Sequence, residues 1–385
     1  MHSFKGFERP DGSVGIRNHV AIIPSVSCVN GVVNMIAKMV PASTPLYHGH
    51  GCGRAREIEL HTRTLANIGK NPNVAAALVV GLGCEVIKAE TIATAIANSG
   101  KPVEFLQVQD NGGSIKTAEK AAGIVKKLID HAKGIKQKDF TLDTLTMGLE
   151  CGGSDAFSGI TANPAVGLAS DWLVKEGATV ILTETTEMIG TTHILKNRAS
   201  SPEVAGEVER IISEAEKLTH DILGPLASLV IAPGNMDGGM SSIKEKSLGC
   251  IIKGGSTPIN QVVEYGEIPS DKGLIIMDGP GYDTESITGL AAAGSQLIIF
   301  TTGRGTPAGF PVVPVIKVAS NPRTYRSMES DMDINAGAIL EGTSLEKVGE
   351  DIKGKIINVL EGEKTKAELN MTDGVICMYT LTPAF

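Results

Sequence analysis

Short continuous apolar runs alternate along this chain with stretches in which apolar residues recur every 3.6 positions. Residues 19–24, 74–81 and 103–108 have the make-up of buried strands, and residues 29–39, 89–97 and 115–132 read as helices, the last with lysines opposite its apolar stripe. The order continues with strands over 146–149, 178–182, 274–277 and 296–300 and helices over 165–175 and 202–223, while 337–360 is mostly helical. Strand, loop and helix in repetition predict an α/β protein whose parallel sheets are covered by helices. The expected organisation is a parallel-sheet, Rossmann-like first domain over residues 1–135 and a second α/β domain, carrying catalysis, over 140–385. The lysine-rich stretch 133–139 is either their linker or a solvated helix end. In parallel sheets ligands bind outside the carboxyl ends of strands, and Cys28 and Cys84 fall there.

Composition narrows the choices. A chain of 385 residues, 42% hydrophobic, is long enough for two or three domains with substantial cores. Its net charge of −8 and lack of a basic block argue against nucleic acid and anionic membrane as partners. No apolar leader opens the sequence and no run of 18 apolar residues occurs, so a cytoplasmic protein is expected, in which cysteines stay reduced and available for chemistry. The 45 glycines imply many tight loops. Neither a dinucleotide fingerprint nor a Walker sequence is present, which leaves nucleotide chemistry and a dehydrogenase unsupported.

Four of the six cysteines, Cys28, Cys52, Cys84 and Cys151, sit in loops rich in glycine and small polar residues, whereas Cys377 lies in an apolar run; Cys377 and Cys250 read as structural. No two form a Cys-x-x-Cys pair, so a site would require convergence in space onto a soft metal or an iron–sulfur cluster; inert or reactive thiols are the other readings. His48 and His50 stand just before Cys52, Glu85 follows Cys84, and Ser154 and Asp155 follow Cys151. Arg304, between two glycines after a buried strand, suits a carboxylate, or is a surface arginine in a turn; the same two readings apply to Arg17 with Asn18. Lys246 is either an anion holder or base, or a solvated charge.

The phrases Phe7-Glu-Arg-Pro-Asp-Gly-Ser-Val-Gly-Ile-Arg-Asn18, Gly81-Leu-Gly-Cys-Glu85, Cys151-Gly-Gly-Ser-Asp-Ala-Phe-Ser-Gly-Ile-Thr-Ala-Asn-Pro164, Glu245-Lys-Ser-Leu-Gly249 and Phe300-Thr-Thr-Gly-Arg-Gly305 resemble the altronate/galactarate dehydratase family. The resemblance spans residues 6 to 340 and implies an iron-dependent lyase that removes water from a sugar acid, with a branch that eliminates sulfite from sulfolactate as the alternative and an iron–sulfur redox sensor as a remote one. The loops around His50, Arg63 and Gly81 look closer to the altronate type. The family's small amino-terminal domain is absent from this sequence, which implies a separate small subunit beside a possible homo-oligomer. Expected metal ligands are Cys52, Cys84 and Cys151, with Cys28 as a fourth or as pocket lining; a mononuclear Fe²⁺ on His48, His50 and Glu85 is the competing arrangement. The base is expected to be His50, Lys246 or His193. Arg304 and Arg17 are the expected carboxylate binders, with Asn18, Ser154 and Asp155 beside them.

Overall fold

A computed structural model describes residues 2–229, 231–372, 374 and 376–382. The apolar runs become two parallel sheets. The first has the order Thr44–Pro45, His19–Pro24, Val74–Gly81, Val103–Gln107, and its strand Val74–Gly81 is buried at every residue. Burial on both faces is why that strand reads as a continuous apolar run instead of an alternating one. Val20, Ile22, Ala76, Leu78 and Val80 face the helices Asn30–Met39 and Ser114–Gly134. Ala21, Ile23, Ala77 and Val79, one residue out of step, face Ile58–Lys70 and Ala89–Ala97, as the two-residue repeat of a strand requires.

The second sheet has seven parallel strands in the order Ile259–Val263, Gly273–Met277, Thr179–Leu182, Thr146–Cys151, Leu297–Thr302, Val315–Ala319, Ile334–Asn335. One face packs on Ala162–Lys175, Pro202–Leu223 and Leu345–Leu360. The other presents Ile181, Ile275, Ile298 and Phe300 to the helix Asp283–Ala292, which lies in the same apolar cluster as Ile58–Lys70 and Ala89–Ala97. One helical layer is therefore shared by both sheets, and the molecule is a five-layer stack with a continuous middle. A third, antiparallel sheet pairs Ser3–Glu8 with Val14–Gly15 and with Lys138–Thr141, so the lysine-rich stretch finishes the helix Ser114–Gly134 and then enters a strand. Among the described residues no helix is long and apolar enough to cross a membrane.

The two sheets point the same way. At their amino ends, Asn71 and Asn73, just ahead of the strand Val74–Gly81, donate to the carbonyls of Ala291, Ser295, Gln296 and Val312, just ahead of Leu297–Thr302 and Val315–Ala319. At the opposite ends the segment 376–382 ties the sheets together. Ile376 N–H donates to Tyr47 O at 2.8 Å, Met378 N–H to His50 Nε2 at 3.3 Å, and Cys377 N–H to Thr288 Oγ1 at 3.2 Å on the shared layer. Both carboxyl edges thus open on one side of the stack, where ligands of parallel sheets bind.

Candidate functional site

At the carboxyl edge of the larger sheet a buried, ionisable cluster forms. Cys151 ends the strand Thr146–Cys151; its Sγ donates to Glu187 Oε2 at 2.8 Å and lies 3.6 Å from Cys250 Sγ, and its N–H donates to Glu184 Oε2 at 2.9 Å. Glu184 and Glu187 come from the turn after Thr179–Leu182. Glu184 has φ 72°, a left-handed conformation that costs a non-glycine residue of order 1–3 kcal/mol and persists only where the surroundings impose it. Cys250 closes the helix Ile243–Cys250, Lys246 one turn earlier pairs with Glu187, and Lys253 in the next turn pairs with Glu184 at 3.0 Å, with both side chains fully buried.

The donor atoms of Cys151, Glu184, Glu187 and Cys250 all lie within 4.8 Å of one another. Two sulfur and two carboxylate donors make a set of mixed softness that suits a divalent transition metal such as iron or zinc better than magnesium or calcium. A second observation fits a cation: Glu184 Oε1 and Glu150 Oε1 are buried and, among the described residues, lack a hydrogen-bond partner. Leaving such atoms unmet is costly unless something else satisfies them.

The electrostatics agree. Four carboxyls, Glu150, Glu184, Glu187 and Asp283, and the thiols of Cys151 and Cys250 share the two ammonium groups of Lys246 and Lys253. Burial and the charge of Glu187 push Glu184 up to about 7, and burial with Glu187 raises Asp283 to about 6. Burial and Glu184 hold Glu150 well above the usual carboxylate range. The Cys151 thiol is raised by its contact with Cys250 and by burial. Burial opposes ionisation of Glu187 too, yet Lys246 and Lys253 outweigh it and keep this carboxylate charged. A bound cation would reverse the upward shifts, because it favours the anionic form of every group around it.

The loop after Cys151 leads to a second feature. Gly303 and Arg304 donate their N–H groups to Gly153 O, and Arg304 lines a cleft of about 580 Å³ together with Asp155, Asn321 and Arg323. Gly152 lies between cluster and cleft so closely that a Cβ there would collide with the Asp283 carboxylate and the Phe300 ring.

Several expected residues do other work. Arg17 forms a two-armed pair with Glu368 and donates to Val359 O and Glu363 O, so its guanidinium is spent on the fold. Asn18 accepts from Arg9 and donates to Ala132 O, again inside the scaffold. Asp155 lines the cleft but is clasped by Ser158, Ser320 and Asn321, and Ser154 is buried beside it. Lys246 is no base: burial works against its charge, but Glu187, Cys151 and Glu184 more than compensate and raise its pKa. His193 is exposed on the short helix Thr192–Asn197.

His48 has both ring nitrogens engaged, Nε2 with Pro24 O and Nδ1 with the His50 N–H, and Glu85 is held by Ser25 and its own loop. That leaves neither free for the mononuclear site envisaged with His50. The His50 ring packs on His61, and burial plus the charges of His61 and His48 lower its pKa to about 4, making it neutral and weakly basic. The four loop cysteines divide: Cys151 is in the buried cluster, while Cys28, Cys52 and Cys84 are exposed at the edge of the smaller sheet.

Six residues of the cluster go beyond the sequence reading: Cys250, which reads as structural there, and Glu150, Glu184, Glu187, Lys253 and Asp283, which it does not single out. The signal was present: two glutamates follow directly on a buried strand, and Lys246, Cys250 and Lys253 share one helical face by their spacing of four and three. Cys377, also read as structural, is half-buried with its Sγ 3.9 Å from Glu285 Oε1.

Comparison with known proteins places residues 6–133 in the family described as D-galactarate dehydratase/altronate hydrolase, second domain. Residues 142–382 match the family D-galactarate/altronate dehydratase, C-terminal. An altronate dehydratase of Bacillus subtilis is 38% identical over 385 residues, covering 96% of this chain and 76% of the relative. A galactarate dehydratase (L-threo-forming) of Escherichia coli is 36% identical over 94% of this chain and 73% of its own length. The (2R)-sulfolactate sulfo-lyase subunit beta of Chromohalobacter salexigens is 31% identical, over 95% of this chain and 94% of the relative.

Proposed function

The chain belongs to the D-galactarate/altronate dehydratase family, and we propose that it is an iron-dependent cytoplasmic hydro-lyase acting on a sugar acid of the altronate type. The observation that carries this reading is the buried Cys151, Cys250, Glu184 and Glu187 set at a sheet's carboxyl edge, in a chain 38% identical to an altronate dehydratase.

Removing water from a 2,3-dihydroxy acid means taking a weakly acidic C2 proton and expelling hydroxide from C3. Cys151, Cys250 and Glu187 would hold the ion, which supplies Lewis acidity for the departing oxygen. Three protein donors leave it an open position, as catalytic sites require. Glu184, whose Oε1 is unpartnered among the described residues, is the group suited to move the proton. Lys253 holds its other oxygen, and Lys246 keeps Glu187 anionic. Arg304 and Arg323 offer guanidinium groups to the substrate carboxylate in the cleft beyond Gly152.

The assay that tests this uses anaerobically purified protein loaded with ferrous iron and offers altronate, galactarate and sulfolactate separately. Altronate is expected to give a 2-keto-3-deoxy acid, with activity lost to a chelator and regained with iron. Sulfite release from sulfolactate without turnover of either sugar acid would replace this reading by the sulfo-lyase one. That alternative is favoured by one observation: alignment with the sulfolactate sulfo-lyase subunit covers 94% of that relative. The name of that relative also supports a separate small subunit as a partner of this chain, a point addressed by asking whether a second polypeptide raises the rate.

Arg304→Ala is expected to lower kcat/KM by about 10- to 100-fold, the worth of a charge-assisted hydrogen bond of about 1.5–3 kcal/mol, mostly through KM. Arg17→Lys, aimed at the residue spent on Glu368, should leave KM unchanged and lower the melting temperature instead. Steady-state kinetics and a thermal melt on the two variants separate these roles.

A further inference from the structure

Cys151 and Cys250 are free, buried thiols whose sulfurs stand 3.6 Å apart, in van der Waals contact. They lie 99 positions apart in the chain, one closing the strand Thr146–Cys151 and the other the helix Ile243–Cys250. Ligation of an ion accounts for their presence in the cluster. Their contact with each other opens a second chemistry at the same place.

A disulfide has a sulfur–sulfur bond of about 2.05 Å, so each sulfur needs to move by only about 0.8 Å to form one. Side-chain rotation has to supply that movement, because the backbone on both sides is pinned. Cys151 pairs with Thr301 in the sheet, and Gly152 N–H donates to Thr301 O at 3.1 Å. Opposite, Asn163 Nδ2 donates to Gly249 O at 2.9 Å and Ser170 Oγ to Lys253 O at 2.7 Å, which fixes the chain before and after Cys250. Gly159 and Gly249 meet backbone to backbone, so closely that a Cβ on Gly249 would lie 3.1 Å from Gly159 Cα. The two thiols therefore face each other from fixed supports.

That contact decides what an oxidant does here. A hydroperoxide turns a thiol into a sulfenic acid, which goes on to an irreversible sulfinic acid unless another thiol condenses with it first. At this site the second sulfur is already in place. The surroundings tolerate the bond as well: Lys246 stays paired with Glu187 and Lys253 with Glu184, and what is given up is the Cys151 Sγ contact with Glu187. The cluster is not sealed from solvent, since the Lys246 side chain is 11% exposed and Asp283, beside Gly152, is half-buried. That margin admits an oxidant as small as hydrogen peroxide.

We propose that Cys151 and Cys250 form a reversible disulfide that switches the metal site off. Two thiols and one hydroperoxide give one disulfide, one alcohol and one water. The sulfur–sulfur bond forms, both S–H bonds and the O–O bond break, sulfur is oxidised, the peroxide oxygens are reduced, and the two thiol protons end on those oxygens. Small thiols reverse the step by exchange and are themselves oxidised to a disulfide. Bonded sulfurs no longer offer the thiolate that a soft ion needs, so of the four donors only Glu184 and Glu187 remain and the ion is lost. Conversely, an ion bound to both sulfurs shields them from oxidant. Formation of the bond depends on the sulfur contact alone, whereas its effect on iron rests on the metal reading given above.

The test uses the full chain, freed of metal under argon, with its exposed thiols blocked by iodoacetamide under native conditions and then treated with hydrogen peroxide. Peptide mapping by mass spectrometry without reductant should find the Cys151 peptide joined to the Cys250 peptide, two hydrogen masses lighter than their sum and separated again by dithiothreitol. Preloading with zinc, which has no redox chemistry of its own, should slow the crosslink about tenfold. After desalting, the crosslinked chain should bind ferrous iron about tenfold more weakly than the reduced chain and recover once dithiothreitol has been applied and removed. Cys250→Ala, shown to be folded by circular dichroism, should give no crosslink and leave Cys151 as sulfenic or sulfinic acid. Cys151 carried to sulfinic acid in the parent with Cys250 still free overturns the proposal, as does a crosslink that leaves iron binding unchanged. Absence of the crosslink in a chain that binds ferrous iron overturns the switch and spares the metal reading. A crosslink in a chain that binds no iron in either state overturns the metal reading, and the switch with it.

Discussion

Cys151→Ser and Cys250→Ser are each expected to lower kcat by about 10³-fold and to weaken iron binding at least tenfold, while Cys377→Ser changes neither. The magnitude follows from what the ion contributes: several kcal/mol of stabilisation for the leaving oxygen, at about 1.4 kcal/mol per tenfold in rate. Serine keeps the size of the side chain but offers a hydroxyl, a far poorer ligand for a borderline-soft ion than thiolate. Both sulfurs face the same pair of glutamates, so neither replaces the other. Cys377 is the control because its sulfur sits beside Glu285, outside that set. Iron titration under argon and steady-state rates decide the matter. Should Cys151→Ser stay fully active while Cys52→Ser loses both iron and turnover, the reacting metal belongs to the loops of the smaller sheet and the buried cluster is a structural charge network.

The fold was legible because parallel strands buried on both faces leave an unmistakable mark. The runs at residues 19–24 and 74–81 became strands with those same bounds, and the amphipathic stretch 202–223 became the helix Pro202–Leu223, capped by Ser201 on the Val204 N–H. The helix Ile58–Lys70 escaped notice because it belongs to the layer shared by both sheets: His61, Thr64 and Asn67 are buried on it as polar residues, which blurs the apolar rhythm. The strand Val315–Ala319 was missed for a similar reason, since Lys317 sits fully buried at its centre and donates to Pro307 O.

The site was half legible. Flanking glycines rightly mark where a backbone comes close to something, but they do not say to what. Beside Cys151 the close neighbour of Gly152 is Asp283, 131 positions away by numbering, a relation no local pattern contains. Arginine next to glycine was equally ambiguous. Arg304 does line a cleft, while Arg17, in a phrase of the same composition, meets Glu368 from the far end of the chain. What separates them is which loop lies opposite, and that is fixed by tertiary packing alone.

In the metal-free protein, Lys253→Met is expected to cost about 3–5 kcal/mol of stability, the largest effect of any single change in the cluster. The ammonium and Glu184 are 3.0 Å apart with neither exposed to solvent, so removing the lysine strands a carboxylate in a site that holds other carboxyls and two thiols. Methionine fills the volume, so little of the loss comes from a cavity. Adding Glu184→Gln should restore much of it, because the double variant buries no unpaired charge, and a coupling energy of about 1–3 kcal/mol is expected between the two positions. Ferrous iron should stabilise Lys253→Met more than it stabilises the parent, since the cation takes over the compensation the ammonium provided. Urea unfolding of the four proteins, with and without iron, gives the cycle directly from the midpoints. A Lys253→Met variant as stable as its parent, with no coupling to Glu184, would mean that the carboxyl is already neutral in the folded protein and that the cluster was never held together by charge.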